Sequence, residues 1–298
     1  MTYAPIILFT YNRPVHTRQT IDALLKNTLA SESDIIIFSD FPKTEKHVEG
    51  VEQTRKYLKT VAGFRSIKII ERDKNFGLAN SVIDGVTSIV NKYDKVIVLE
   101  DDLITSPYFL QYMNDALTLY ENDANVVCIH GYIYPVKEKL PDTFFLRGAD
   151  CWGWATWKRG WDVFNPNAEL LLEQIKKHRL SRKFNFNNTY PYVKMLRQQI
   201  EGKIDSWAIR WYASAFIQDK LTLYPYQSLV VNIGLDGTGT HCPKKHEFST
   251  VAALSNKKVE LQKVETKENE QAYKAFAHFF MRDRYKKIKE KFKQIIIF

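Results

Sequence analysis

The feature that most constrains this chain is Lys95-Val96-Ile97-Val98-Leu99-Glu100-Asp101-Asp102-Leu103, an apolar and β-branched run that ends at once in three acids. An unbroken apolar run of this length predicts a strand buried on both faces, as in a parallel sheet. Three adjacent carboxylates repel one another and resist burial, so a strand end carrying them is explained most simply if a cation arrives there. Three acids in a solvated turn need no cation, and that reading stands beside the first at this point.

The segments before this strand repeat one pattern. Residues 4–10 predict a first strand, and Tyr11-Asn12-Arg13-Pro14 turns out of it into a helix, since proline at the first helical turn gives up an N–H that has no partner there. Residues 33–40 predict a second strand that also ends in an acid, Asp40. Residues 44–62 predict a helix and residues 66–71 a third strand. The polar loop Arg72-Asp73-Lys74-Asn75-Phe76-Gly77 then leads into a helix through Val90. Four strands with three helices between them predict an α/β sheet with right-handed crossovers. Asp40 and the 100–102 cluster then lie at its carboxyl edge, where open α/β sheets bind ligands. No GxGxxG follows the first strand, which argues against a dinucleotide-binding dehydrogenase.

The second half has a different character. A helix over residues 108–120 and a strand over 126–130 are followed by all six tryptophans between Trp152 and Trp211. Two readings stand for Trp152, Trp154 and Trp207: a core seam, or a platform for the apolar face of a sugar acceptor. Residues 165–200 read as helical or irregular. Asp205 opens a helix over 205–211, where it reads as the N-cap. A short strand is expected at 221–225, and residues 228–234 lead to the glycine-rich loop 234–241 that contains His241. That loop can close over a phosphate, although its spacing is not that of a Walker motif.

A net charge of +9 makes polyanions plausible partners, but much of that charge lies in the last twenty residues and no groove-reading motif accompanies it, so nucleic acid is not expected. Residues 279–298 predict a basic amphipathic helix, suited either to an anionic membrane surface or to docking on its own domain. Three widely spaced cysteines with no CxxC pair predict a reducing compartment and no cysteine zinc site. The first residues lack a basic region followed by a long apolar run, so neither a signal peptide nor a membrane-spanning anchor is expected. A cytoplasmic protein follows, peripheral on the inner face of the membrane if the terminal helix binds there.

The order of these motifs resembles glycosyltransferases of the GT-A fold, including bacterial family 2-like enzymes. Glu100-Asp101-Asp102-Leu103, Phe145-Leu146-Arg147, Gly153-Trp154, Asp205-Ser206-Trp207, Ile233-Gly234 and His241 are similar in order and spacing to the N-acetylglucosaminyltransferase I class, over about residues 4–241. The resemblance implies an α/β, Rossmann-like, mixed and mostly parallel sheet flanked by helices, with a basic C-terminal helical extension. Residues 1–103 would be the nucleotide-sugar half, 104–245 the acceptor and catalytic half, and 246–298 the extension. It also implies that Asp102 binds manganese, that Asp101 and Glu100 lie near ribose and sugar, and that Asp205 is the catalytic base. Thr10, Tyr11, Asp40 and Arg72 would surround the base and ribose of the donor, with Arg13 and Asn75 beside them.

The chemistry is consistent with this from first principles. Displacing a nucleoside diphosphate leaves charge that a hard divalent cation, Mn2+ or Mg2+, neutralises with few carboxylates. An attacking acceptor hydroxyl needs a carboxylate to take its proton, which suits Asp205 and an inverting reaction. His241 reads as a metal ligand, a phosphate contact or a structural residue. The expected function is therefore transfer of a sugar, UDP-linked by resemblance, to a glycan or lipid-linked acceptor in cell-surface polysaccharide synthesis. A non-catalytic carbohydrate-binding or scaffold protein and a nucleotidyltransferase are the alternatives.

Overall fold

A computed structural model describes residues 3–237 and 254–296. The first half follows the expected alternation: β1 (Ile6–Thr10), α1 (Pro14–Leu25), β2 (Asp34–Ser39), α2 (Val48–Leu58), β3 (Ser66–Glu71), α3 (Gly77–Tyr93) and β4 (Lys95–Glu100). The remainder comprises β5 (Leu103–Thr105), α4 (Phe109–Leu119), β6 (Val126–His130), β7 (Thr143–Arg147), β8 (Trp154–Trp157), α5 (Lys158–Trp161), α6 (Ala168–Lys177), α7 (Ser181–Phe184), α8 (Tyr192–Ile200), α9 (Trp207–Ile217), β9 (Leu221–Pro225), β10 (Val230–Asn232) and α10 (Glu270–Ile296).

Eight strands form one sheet in the order β3-β2-β1-β4-β8-β6-β9-β7, while β5 and β10 make a separate antiparallel pair. From β3 to β4 every pairing is parallel, and β8 then joins β4 antiparallel, with Val98 opposite Trp154. The fold is thus a mixed sheet flanked by helices, with a separate C-terminal helix. Its parallel part explains the continuous apolar runs, because both faces are covered. Along β1, Ile6 and Leu8 enter the core on one side of the sheet and Ile7 and Phe9 the core on the other.

Four strands, β5, β7, β8 and β10, had not been read from the sequence as strands. The two three-residue strands β5 and β10 are too short to carry a pattern, and β7 and β8 are fully or nearly buried and aromatic, so they lack the alternation that marks a half-exposed strand. Helix α10 begins at Glu270, well before Phe279. Asn269 accepts from the Ala272 N–H at 2.9 Å at its start. Ala272, Ala275, Phe276, Phe279 and Phe280 are buried in a third core with Phe144, Phe184 and Tyr224, so the first turns of this helix are docked on the domain. No helix among the described residues is long and apolar enough to cross a membrane.

Candidate active site

Strand β4 delivers Glu100 to the carboxyl edge, and the turn to β5 carries Asp101 and Asp102, both buried. The pairing of β5 with β10 then draws the next loop over the acids. Leu103 lies opposite Asn232, and the Ile233 N–H donates to the Asp102 carbonyl at 2.8 Å. Gly234 follows so closely that a Cβ there would lie 2.1 Å from Asp102 Oδ2 and 2.9 Å from Arg13 Nη1, so only glycine fits without displacement.

Arg13, at the start of α1, reaches across to this cluster. Its Nη2 donates to Asp101 Oδ1 at 2.5 Å and to Asp102 Oδ2 at 2.8 Å, and the Tyr11 N–H donates to Asp101 Oδ2 at 3.3 Å. Burial opposes the charge on Arg13, but Asp101 and Asp102 outweigh it and raise its pKa. Burial also raises the Asp101 carboxyl, with Arg13 opposing. Glu100 is pushed up to about 8, first by burial and then by Asp102 and Asp101, while Arg13 and the Trp207 indole N–H oppose the shift. Among the described residues two buried atoms in this group have no partner, Asp102 Oδ1 and Arg13 Nη1. The neighbouring Thr10 is buried, and its hydroxyl donates to the Phe38 carbonyl at 3.4 Å.

A second group lies at the ends of β2 and β3. Asp40 accepts from the N–H groups of Phe76 and Gly77, each at 2.9 Å, and from the Asn75 amide at 3.1 Å. Its carboxylate therefore sits at the N-terminus of α3, where exposed N–H groups and the helix dipole favour an anion. Gly77 itself adopts φ +70°, a turn that a side chain would strain. Arg72 lies over the Phe76 ring at 3.8 Å and donates to Asp84 at 2.7 Å. Tyr11 stands between the two groups, its hydroxyl 3.0 Å from His47 Nδ1.

The aromatic segment divides by burial. Trp154 is 0% exposed and Trp207 3%, and the two rings stack at 5.4 Å within a seam that includes Trp161 and Trp211. A ring with no open face has nothing to offer a sugar in this conformation, which corrects the platform reading for Trp154 and Trp207. Trp152 is half-buried, edge-on to Tyr132 at 4.8 Å. Asp205 is also corrected as a cap. Ser206 is the N-cap of α9, accepting from the Ile209 N–H, and Asp205 instead extends into solvent beside Arg210, 3.3 Å away. The Trp207 contact with Glu100 brings the start of α9 to the acid cluster.

One group was missed from the sequence. Asp150, after β7, accepts from the Tyr224 hydroxyl at 3.0 Å and the Cys151 N–H at 2.8 Å, and lies 3.7 Å from His130 Nε2. The Trp152 N–H donates to that same His130 nitrogen at 3.1 Å. Tyr132, buried here, leaves its hydroxyl without a partner among the described residues. Reading residues 143–147 as a strand would have placed Asp150 at its end beside the tryptophans.

The residues present suit a divalent ion held jointly with a substrate. Asp102 Oδ1 is a buried acceptor with no donor among the described residues, and such ions commonly take one or two carboxylates plus substrate phosphates. Among the described residues no set of three His, Cys, Asp or Glu side chains is arranged to hold a metal by itself. His241 lies outside the described residues.

A parallel half-sheet with an acid cluster at its carboxyl edge, continued by a mixed half with an aromatic seam, is the arrangement of a GT-A fold glycosyltransferase, the class that draws on nucleotide-linked sugars. The sequence profile described as Glycosyl transferase family 2 matches residues 6–201, and the chain belongs to that family. No curated protein sequence matches it. Among solved structures, the chain is similar to the mannosyltransferase PcManGT from Pyrobaculum calidifontis in complex with GDP-Man and Mn2+. The identity is 14% and the TM-score 0.33, over 45% of this chain and 37% of that one. It is similar also to S. aureus TarS, at 13% identity and TM-score 0.32, over 49% of this chain and 24% of that one. At these values neither likeness bears on donor or acceptor.

Proposed function

We propose that this glycosyltransferase is inverting and metal-dependent, and moves a sugar from a UDP-linked donor to a glycan or lipid-linked acceptor in cell-surface polysaccharide synthesis. The observation that carries the reading is the buried, partnerless Asp102 Oδ1 at the carboxyl edge of β4, beside the Arg13 guanidinium. Asp102 would hold Mn2+ or Mg2+, with His241 a further candidate ligand. The ion's part is to neutralise the diphosphate as it leaves. Residues 1–103 act as the donor half, with Thr10, Tyr11, Arg13, Asp40, Arg72, Asn75, Glu100 and Asp101 around the nucleotide and sugar. Asp40 and Asn75 do so by shaping the 72–77 loop, given the bonds they already make.

Residues 104–245 act as the acceptor half. Asp205 is the base that takes the proton from the acceptor hydroxyl, a role favoured by its exposure and by its place at the start of α9, next to the helix turn that touches Glu100. The assignment follows the N-acetylglucosaminyltransferase I resemblance. Asp150 and Trp152, which flank Cys151 beside His130, would orient acceptor hydroxyls and stack on the ring. Residues 246–298 form the extension. Tyr285 and Ile288 are exposed on α10 near Lys287 and Lys289, which supports contact with an anionic membrane face. Replacing Tyr285 and Ile288 with serine should then lower partition into phosphatidylserine vesicles, and unchanged partition would remove that part of the proposal.

The test is donor binding and turnover with Mn2+ across a panel of nucleotide sugars. Asp102→Asn should lose metal-dependent donor binding. Asp205→Asn should keep donor binding and lose about 100-fold or more in transfer, whereas Asp150→Asn should chiefly raise the acceptor KM. If no nucleotide sugar binds under any metal condition, the carbohydrate-binding alternative takes over.

A further inference from the structure

Arg13 and Asp102 meet through one leg of what is commonly a two-legged contact. A guanidinium facing a carboxylate tends to close a fork of two parallel hydrogen bonds. Here Nη2 and Oδ2 are joined at 2.8 Å, while Nη1 and Oδ1 are both buried and both open. A buried donor and a buried acceptor left unpaired are costly, and native structures retain them where something else completes the set. Gly234 is packed against both residues, which keeps them from separating on that side.

An open donor and an open acceptor on the two members of one ion pair are not completed by an anion alone or by a cation alone. A diphosphate carrying a divalent ion supplies both, with an oxygen for Nη1 and a positive charge for Oδ1. Resting on the donor reading above, we infer that Arg13 is a resident counter-cation: it holds Asp101 and Asp102 in the metal's absence and turns to the donor's diphosphate when the two arrive together. A metal ion approaching Asp102 alone meets a fixed positive charge already bonded to the same carboxylate. Metal and nucleotide therefore raise one another's affinity, and Arg13 is the residue that makes each depend on the other. A trapped water could also bridge the two open atoms, but it would leave metal binding indifferent to Arg13.

The experiment is titration of the whole chain with Mn2+, followed by the electron paramagnetic resonance signal of the free ion, without nucleotide and with saturating UDP or GDP. Calorimetry reads nucleotide affinity in parallel. The native chain should bind Mn2+ weakly alone and about tenfold or more tightly with the nucleotide. Arg13→Gln should bind Mn2+ alone about tenfold more tightly than the native chain and bind nucleotide more weakly. Arg13→Lys keeps the charge and loses the fork, so its affinity for Mn2+ alone should stay native while nucleotide binding weakens. It also serves as the comparison should Arg13→Gln melt early. Equal Mn2+ affinity in native and Arg13→Gln chains overturns the inference. If neither UDP nor GDP binds the native chain with Mn2+, the donor reading fails instead, and the Mn2+-alone comparison still decides what Arg13 does.

Discussion

The Asp40 carboxylate accepts the Gly77 N–H at 2.9 Å across 37 positions of sequence, and so ties the end of β2 to the first turn of α3. Its other oxygen takes the N–H groups of Phe76 and Phe41, and the Asn75 amide bonds beside Gly77. Asp40 thus builds the wall of the candidate donor pocket.

Removing that carboxylate should loosen the wall and the helix together. Asp40→Ala leaves the Phe76 and Gly77 N–H groups unpaired, at a cost of about 1.5–3 kcal/mol for hydrogen bonds to a charged group. Asp40→Asn, with one acceptor oxygen, should lose less. Urea unfolding measures both, and donor affinity should fall in the same order. An Asp40→Ala chain that unfolds at the native midpoint would show that the loop holds itself.

The tryptophans should separate by what they touch. Trp154→Ala empties a fully buried site in the ring seam and should cost about 3–5 kcal/mol, seen as a lower melting temperature. Trp152→Ala should change stability less and raise the acceptor KM with donor binding unchanged. Equal melting temperatures for the two variants would contradict this division.

His130 should make stability depend on pH. Burial lowers its pKa, with Asp150 partly opposing. As the pH falls below the unfolded histidine value of about 6.5, the unfolded chain takes up a proton that the folded chain refuses. The unfolded state then binds more protons, so this contribution to stability is present above the unfolded value and is lost as the pH falls toward the folded one. The limiting slope is about 1.4 kcal/mol per pH unit. His130→Gln keeps an acceptor for the Trp152 N–H and cannot titrate, so its unfolding free energy should change less than the native one between about pH 7.5 and about pH 5.5. Parallel profiles for the two chains would assign the acid loss elsewhere.

How much could be read in advance varied along the chain. Strands β3, β6 and β9 lie at the boundaries the pattern predicts, and β1, β2 and β4 within a few residues of them; all but the half-exposed edge strand β3 are buried nearly throughout and therefore mostly apolar. The acids at 100–102 stood out for the opposite reason, since charge directly after a buried apolar run is costly to bury and has to lie at the edge of the sheet. Asp205 was visible as a residue at a helix start, but whether it or Ser206 caps α9 depends on which side chain reaches the Ile209 N–H. Asp150 left no signal because β7 before it did not read as a strand.

The sequence by itself determined the α/β order, the parallel half of the sheet and the edge at which its carboxylates gather, all consequences of local periodicity and of the cost of burying charge. Only the tertiary structure decided that Trp154 faces other rings, that Asp40 serves α3, and that Arg13 stands against Asp101 and Asp102. Those are pairings between residues tens of positions apart. Each depends on strand order and register, which bring distant groups into contact for reasons that neither partner's own segment contains.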